Sequence, residues 1–156
     1  GHSAALKYYL PLLDEGENTD VVIDGVAGAD MMNFGLFLGT DGVIVVVEPH
    51  PNSMRVLSQV AGIAERTSLP LFVVMNKVGT NAELAAQIEI EWGSRIVGRI
   101  PADSALLAYN FERLSEETKR EARAMLKTLR MRTQEEASDP IERLRYLETE
   151  RQKARE

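Results

Sequence analysis

Residues 42–49 read Gly-Val-Ile-Val-Val-Val-Glu-Pro, and this stretch decides the fold. Five β-branched residues in a row, closed by an acidic residue and a proline, describe a short strand that ends in a rigid turn. Working outward, three further runs share this pattern: Asp20 to Asp24 (Asp-Val-Val-Ile-Asp), Leu69 to Met75 (Leu-Pro-Leu-Phe-Val-Val-Met) and Arg95 to Ile100. They are nearly continuous rather than alternating, so both faces are expected to be covered, as in a parallel sheet. Between them lie helical stretches with start signals. Ser3 can cap a helix over Ala4 to Leu13, and Asn52 or Ser53 one over Met54 to Thr67, with Val56, Leu57, Val60, Ile63 and Ala64 on one face. Thr80 or Asn81 can cap a helix through Glu91. The β-α-β-α order predicts an α/β fold, a parallel sheet with flanking helices and right-handed crossovers.

The chain has 156 residues, 24 acidic against 18 basic, a formal charge of -6 and no cysteine. That length is enough for one domain with a proper core. Without cysteine there is no disulfide framework, no Cys-ligated zinc and no thiol nucleophile, which fits a cytoplasmic setting. The acidic balance argues against broad affinity for nucleic acid or anionic lipid, and no apolar run approaches the ~20 residues of a membrane helix. The opening Gly1-His2-Ser3 lacks a starting Met and reads as a cloning remnant or a cut from a longer chain. Composition shifts along the chain: residues 112–156 hold 12 basic and 11 acidic side chains, leaving 6 basic and 13 acidic before them. The acidity therefore belongs to a body over residues 1–110, followed by a helical extension over 111–156. In that extension, Ser115 to about Thr133 carries a stripe of Ala122, Met125, Leu126 and Leu129. Pro140 to about Lys153 carries Ile141, Leu144 and Leu147, with Ser138 or Asp139 and Pro140 as its start. Trp92, Tyr8, Tyr9 and Phe72 read as packing residues.

Ligands of open α/β sheets bind beyond the carboxyl ends of the strands, and all four strand ends here carry polar groups. The first ends Asp24-Gly25-Val26-Ala27-Gly28-Ala29-Asp30. A carboxylate there can order the water shell of Mg2+, and the glycines let backbone N–H groups approach a phosphate. Asp24 reads equally well as the cap of a following helix. The second ends Glu48-Pro49-His50-Pro51, where His50 reads as a loop residue rather than a ligand. The third ends Asn76-Lys77-Val78-Gly79, and an Asn offers the paired donor and acceptor that match a purine edge. The fourth ends Pro101-Ala102-Asp103.

Taken in order, strand-Asp24-x-x-Ala27-Gly28, then Val-Ile-Val-Val-Val-Glu48-Pro49 with Ser53, then Val-Val-Met-Asn76-Lys77-Val78, then Gly98-Arg-Ile-Pro101-x-Asp103, the series resembles the later part of the MinD/ParA-like P-loop ATPases. Within that family the likeness is nearest to the ATPases that mature carbon monoxide dehydrogenase, and it covers about residues 18–108. The resemblance implies an incomplete P-loop NTPase fold, ATP and Mg2+ as the full protein's ligands, and a role in metallocentre maturation or cargo positioning. It implies that Asp24 is the Walker B carboxylate holding Mg2+ through water, that Ala27 and Gly28 belong to the γ-phosphate switch, and that Gly25 is among the nucleotide-binding residues. Asn76 would face the adenine with Lys77 beside it, and the loop of Pro101 and Asp103 would pack on the other side of the base.

Departures from the family pattern carry information too. Gly25 and Val26 stand where relatives place Ser or Thr and then Pro or Glu. Gly79 stands where GTPases place the Asp that reads guanine, which favours ATP over GTP. No Gly-x-x-x-x-Gly-Lys-[Ser/Thr] string occurs between Gly1 and Glu156, so the chain reads as the carboxyl-terminal part of such an ATPase and is expected to be inactive alone. In the family the phosphate-loop strand lies between the Asp24 strand and the Val43 strand. A chain without it is expected to close the gap, swap strands with a second copy or aggregate, so a homodimer or strand-swapped oligomer is the expected assembly.

The two terminal helices either pack back on the body or offer a partner surface, for which a metalloenzyme client is one candidate. A membrane helix does not fit their balanced charge. Two other readings stay open: a non-catalytic α/β interaction module without a phosphate site, and, more weakly, a flavodoxin-like or receiver-like domain.

Overall fold

The computed structural model describes residues 20–25 and 36–153, the side chains of Leu36 and Arg151 excepted. Three strands, β1 (Val43–Val47), β2 (Leu71–Val78) and β3 (Ile96–Pro101), form a parallel sheet in the order β1-β2-β3. Val43 to Val47 pair in register with Leu71 to Met75, whereas the β2-β3 register shifts between Val73 and Val74 and again between Met75 and Val78. Helices α1 (Pro51–Arg66) and α2 (Ala82–Trp92) make the crossovers. A short α3 (Ser104–Leu107) is followed by α4 (Glu116–Glu135) and α5 (Pro140–Lys153). The fold is α/β, as the strand and helix periods predict.

Local chemistry explains where the helices start. Asn81 and Ser115 cap α2 and α4 by accepting hydrogen bonds from the Leu84 and Thr118 amides. For α1 the expected caps, Asn52 and Ser53, are superseded. Pro51 begins the helix and His50 is its cap, its Nδ1 accepting from the Asn52 amide at 3.2 Å. A proline in the first turn sacrifices no bonded N–H, so the helix starts at Pro51, three residues before the expected Met54.

β2 is the centre of the core, with Leu71 to Met75 all buried. Alternation sends Leu71, Val73 and Met75 to one face, where they join Val45 and Val47 of β1, Leu57, Val60 and Ala64 of α1, Ile88 of α2 and Leu144 of α5. Phe72 and Val74 point to the other face and join Val97 and Ile100, packed under Ala122, Met125 and Leu129 of α4. Both terminal helices thus pack on the body, one on each face. Leu126, expected in the α4 stripe, is exposed instead.

Two expectations are corrected. The Asp20–Asp24 run is not a strand: it carries no regular structure, Val22 is 82 % exposed, and Asp20 accepts a hydrogen bond from Arg130 Nε of α4 at 2.8 Å. A strand exists only through a hydrogen-bonded neighbour, and among the described residues this run has none. Coverage of both faces holds for β2 but not for β1, where Ile44 is 44 % and Val46 60 % exposed. α4 packs mainly along β3. The helix expected after Ser3, with Tyr8 and Tyr9, lies outside the described residues.

Candidate functional site

The carboxyl ends of the three strands converge on one edge of the sheet, and that edge is polar. β2 leaves its regular ladder after Met75, and Lys77 adopts a left-handed backbone with φ 55°. Gly79 follows at φ 102°, a value glycine adopts without strain. The Thr80 hydroxyl closes this turn by donating to the Lys77 carbonyl at 2.9 Å. Lys77 Nζ reaches across to the end of β1 and pairs with Glu48 Oε1 at 2.7 Å. Both partners are partly exposed, so the pair orients Lys77 more than it stabilises the fold.

Between the ends of β2 and β3 lies a cavity of about 210 Å3, lined by Asn76, Lys77, Thr80, Pro101, Ala102, Asp103, Leu106 and Leu107. Four of the site residues expected from the sequence, Asn76, Lys77, Pro101 and Asp103, therefore share one wall system although 27 positions separate the first from the last. The cavity combines the apolar side chains of Pro101, Leu106 and Leu107 with the Asn76 carboxamide, the Thr80 hydroxyl and the charged groups of Lys77 and Asp103. Its size falls short of the ~300–1,000 Å3 of pockets that hold a whole drug-sized ligand.

Asp103 is present in the wall but its carboxylate is committed elsewhere. Oδ1 accepts from the Ala105 amide at 2.9 Å and so caps α3. Oδ2 accepts from the Ser115 amide at 3.0 Å and from the Thr118 hydroxyl at 2.7 Å. These donors, Ser115 first, then Thr118 and Ala105, hold its pKa far below the usual carboxylate range. The sequence pointed to Asp103 but not to its partners, since nothing in the spacing links it to a threonine 15 positions on. Thr80, read only as a possible helix cap, and Leu106 and Leu107 were not marked as site residues, because a Thr in a turn and leucines on a short helix carry no ligand signal of their own.

The other expected residues are not brought to this cavity. Asp24 and Gly25 are described and exposed, while Ala27 and Gly28 lie outside the described residues. His50 caps α1 through Nδ1. Among the described residues no three His, Asp or Glu side chains gather as a metal site. Among the described residues, the cavity thus gathers Asn76, Lys77, Pro101 and Asp103 and not Asp24 or Gly25.

No family model matches the chain, and no curated protein matches it. Two solved structures do. One is of a protein assigned to plasmid partition in Borrelia burgdorferi B31, bound to AMPPNP: 21% identity, TM-score 0.63, covering 81% of this chain and 54% of that one. The other is a plasmid partition protein from Borrelia burgdorferi, with 18% identity, TM-score 0.60, and coverage of 83% and 53%. The chain thus spans about half the length of the structures it matches. At such identities the likeness is one of fold: a parallel α/β sheet of the kind found in these partition proteins.

Proposed function

We propose that this chain is the base-reading portion of a MinD/ParA-like nucleotide switch, acting with ATP and Mg2+ when joined to a phosphate-binding segment. The observation that carries the reading is the convergence of Asn76, Lys77 and Pro101 on one small cavity at the carboxyl edge of a parallel sheet. The AMPPNP bound to one structural neighbour supports it, since AMPPNP presents an adenine base. In this reading Asn76 pairs with the base edge, Pro101, Leu106 and Leu107 cover its face, and Asp24, Gly25, Ala27 and Gly28 serve the phosphates and cation. Gly79 leaves guanine without its acidic reader, so adenine is preferred. The plasmid partition neighbours favour cargo positioning over metallocentre maturation, and the assembly is a homodimer or strand-swapped oligomer in the cytoplasm.

The test is a titration of the 15N-labelled chain with adenosine and with guanosine. Adenosine at millimolar concentration shifts the Asn76 side-chain amide and the Ala102 and Leu106 backbone amides, and guanosine shifts them less. No perturbation at Asn76 would sink the base-reading role. In the longer chain that contains a phosphate loop, Asp24→Asn abolishes ATP hydrolysis, and undiminished turnover removes Asp24 from the mechanism.

A second reading, a non-catalytic interaction module, draws on Leu107, Tyr109 and Phe111, three large apolar side chains exposed beside the cavity. A reading frame with no upstream Gly-rich Lys motif would favour it.

A further inference from the structure

A carboxylate bonded to two separate helix starts does more than cap one of them. Asp103 Oδ1 takes the Ala105 amide at the start of α3, and Oδ2 takes the Ser115 amide and the Thr118 hydroxyl at the start of α4. Helix N-termini carry partial positive charge, so one anion satisfies both. Thr118 is only 2 % exposed, and its hydroxyl also receives a hydrogen bond from Ser115 Oγ at 2.9 Å. A hydroxyl that deep cannot lose its acceptor to water without leaving the core. On the other side, Asp103 belongs to the loop from Pro101 to Leu107 that forms one wall of the cavity, and Thr118 does not line that cavity. α4 in turn is seated on the sheet through Met125, which lies where a side chain on Gly98 of β3 would go.

The geometry points to Asp103 as a positioning residue that couples the wall of the cavity to the docking of α4, so that a ligand in the cavity and the start of α4 sense each other. Its carboxylate does not contact the ligand; it sets the wall that does. By linkage, whatever α4 gains from an occupied cavity the ligand gains from a docked α4. The ligand half rests on the base-reading proposal above; the coupling of wall to helix does not.

The experiment measures amide hydrogen exchange in the 15N-labelled chain and three variants. Thr118→Val removes the hydroxyl at constant volume, Thr118→Ser restores it, and Met125→Ala loosens α4 at Gly98 without touching Asp103. We expect Thr118→Val to speed exchange at Ala105 and Leu107 about tenfold relative to amides of β1, the loss of roughly one hydrogen bond. Thr118→Ser stays near wild type, and Met125→Ala loosens α4 with little effect on the wall. Unchanged wall exchange in Thr118→Val overturns the coupling. So does Met125→Ala opening the wall as far as Thr118→Val, since α4 docking in general would then be responsible.

Adenosine supplies the second arm. In wild type it slows exchange at Thr118 and Lys119, and in Thr118→Val it does not. Shifts at Asn76 without protection at Thr118 overturn the coupling. Should adenosine leave Asn76 unshifted, the base-reading proposal fails and the variant exchange rates alone decide the coupling.

Discussion

Gly98 and Asp103 show how much single positions near the end of β3 control. A Cβ built on Gly98 would stand 2.6 Å from Met125 Cγ and 2.8 Å from Met125 Cβ, atoms too close to the helix backbone to swing aside. Gly98→Ala is therefore expected to cost ~1–3 kcal/mol by overpacking, read from the urea midpoint, with part of the loss recovered when Met125→Ala is added. Asp103 acts through charge. Its folded pKa is lowered by Ser115, Thr118 and Ala105, so the stability it contributes is full above the unfolded value of ~3.9 and fades as pH falls below it. Glu89, lowered by its hydrogen bonds from Arg99, adds in the same direction. Urea midpoints of wild type and Asp103→Asn should differ most at pH 6 and converge in strong acid. A difference that grows on acidification would contradict the carboxylate's role. The sequence marks both positions as part of a strand-end motif. What Gly98 makes room for, and what Asp103 holds, depend on side chains 27 and 15 positions away.

At the scale of elements, the helix starts are the most legible part of the chain, because a cap is a contact between residues two or three apart. Asn81, one of the two caps the sequence offers for α2, is its cap in the structure, and Ser115, read as the first residue of α4, caps that helix. His50 was not legible, since imidazole is an uncommon cap and two better ones follow it. Ser115→Ala and His50→Ala are each expected to cost ~1 kcal/mol, with faster amide exchange confined to the first turn of α4 or α1. His50→Asn should restore α1, and a failure to do so would mean that the imidazole matters for packing rather than as an acceptor. Strand identity was legible where β-branched runs were paired, in β1, β2 and β3, and misleading at Asp20–Asp24. That run has the composition of a strand, but among the described residues nothing offers it a ladder.

For the whole molecule, two arginine-centred clamps hold the terminal helices, α4 beside the sheet and α5 against the segment that leads into β1. On α4, Arg132 donates to the Ser94 carbonyl at 2.7 Å and to Glu136, and its guanidinium lies 5.4 Å from the centre of the Phe72 ring. On α5, buried Arg143 donates to the Leu38 and Thr40 carbonyls at 3.0 and 2.7 Å and to Ser138 Oγ. Its Nε has no partner, and burial lowers its pKa against the pull of Asp41 and Asp139. Arg143→Met keeps the apolar stem but orphans two carbonyls, each costing ~1–3 kcal/mol if buried. α5 should then detach, and trypsin should cut after Arg145 in the variant while sparing wild type; equal resistance would show that Leu144 alone holds the helix. By itself the sequence determined the α/β order, the two terminal helices, the polar strand ends and three of the residues that line the cavity beside Asp103. Those features follow from local period, capping chemistry and composition. Only the tertiary structure decided that, among the described residues, the Asp20 run has no strand partner and Ile44 and Val46 of β1 are exposed, and that Asp103 serves α4. Each of these turns on which distant group fills a given space or accepts a given hydrogen bond, and a strand, a buried face or a paired carboxylate is defined by its partner rather than by its own residues.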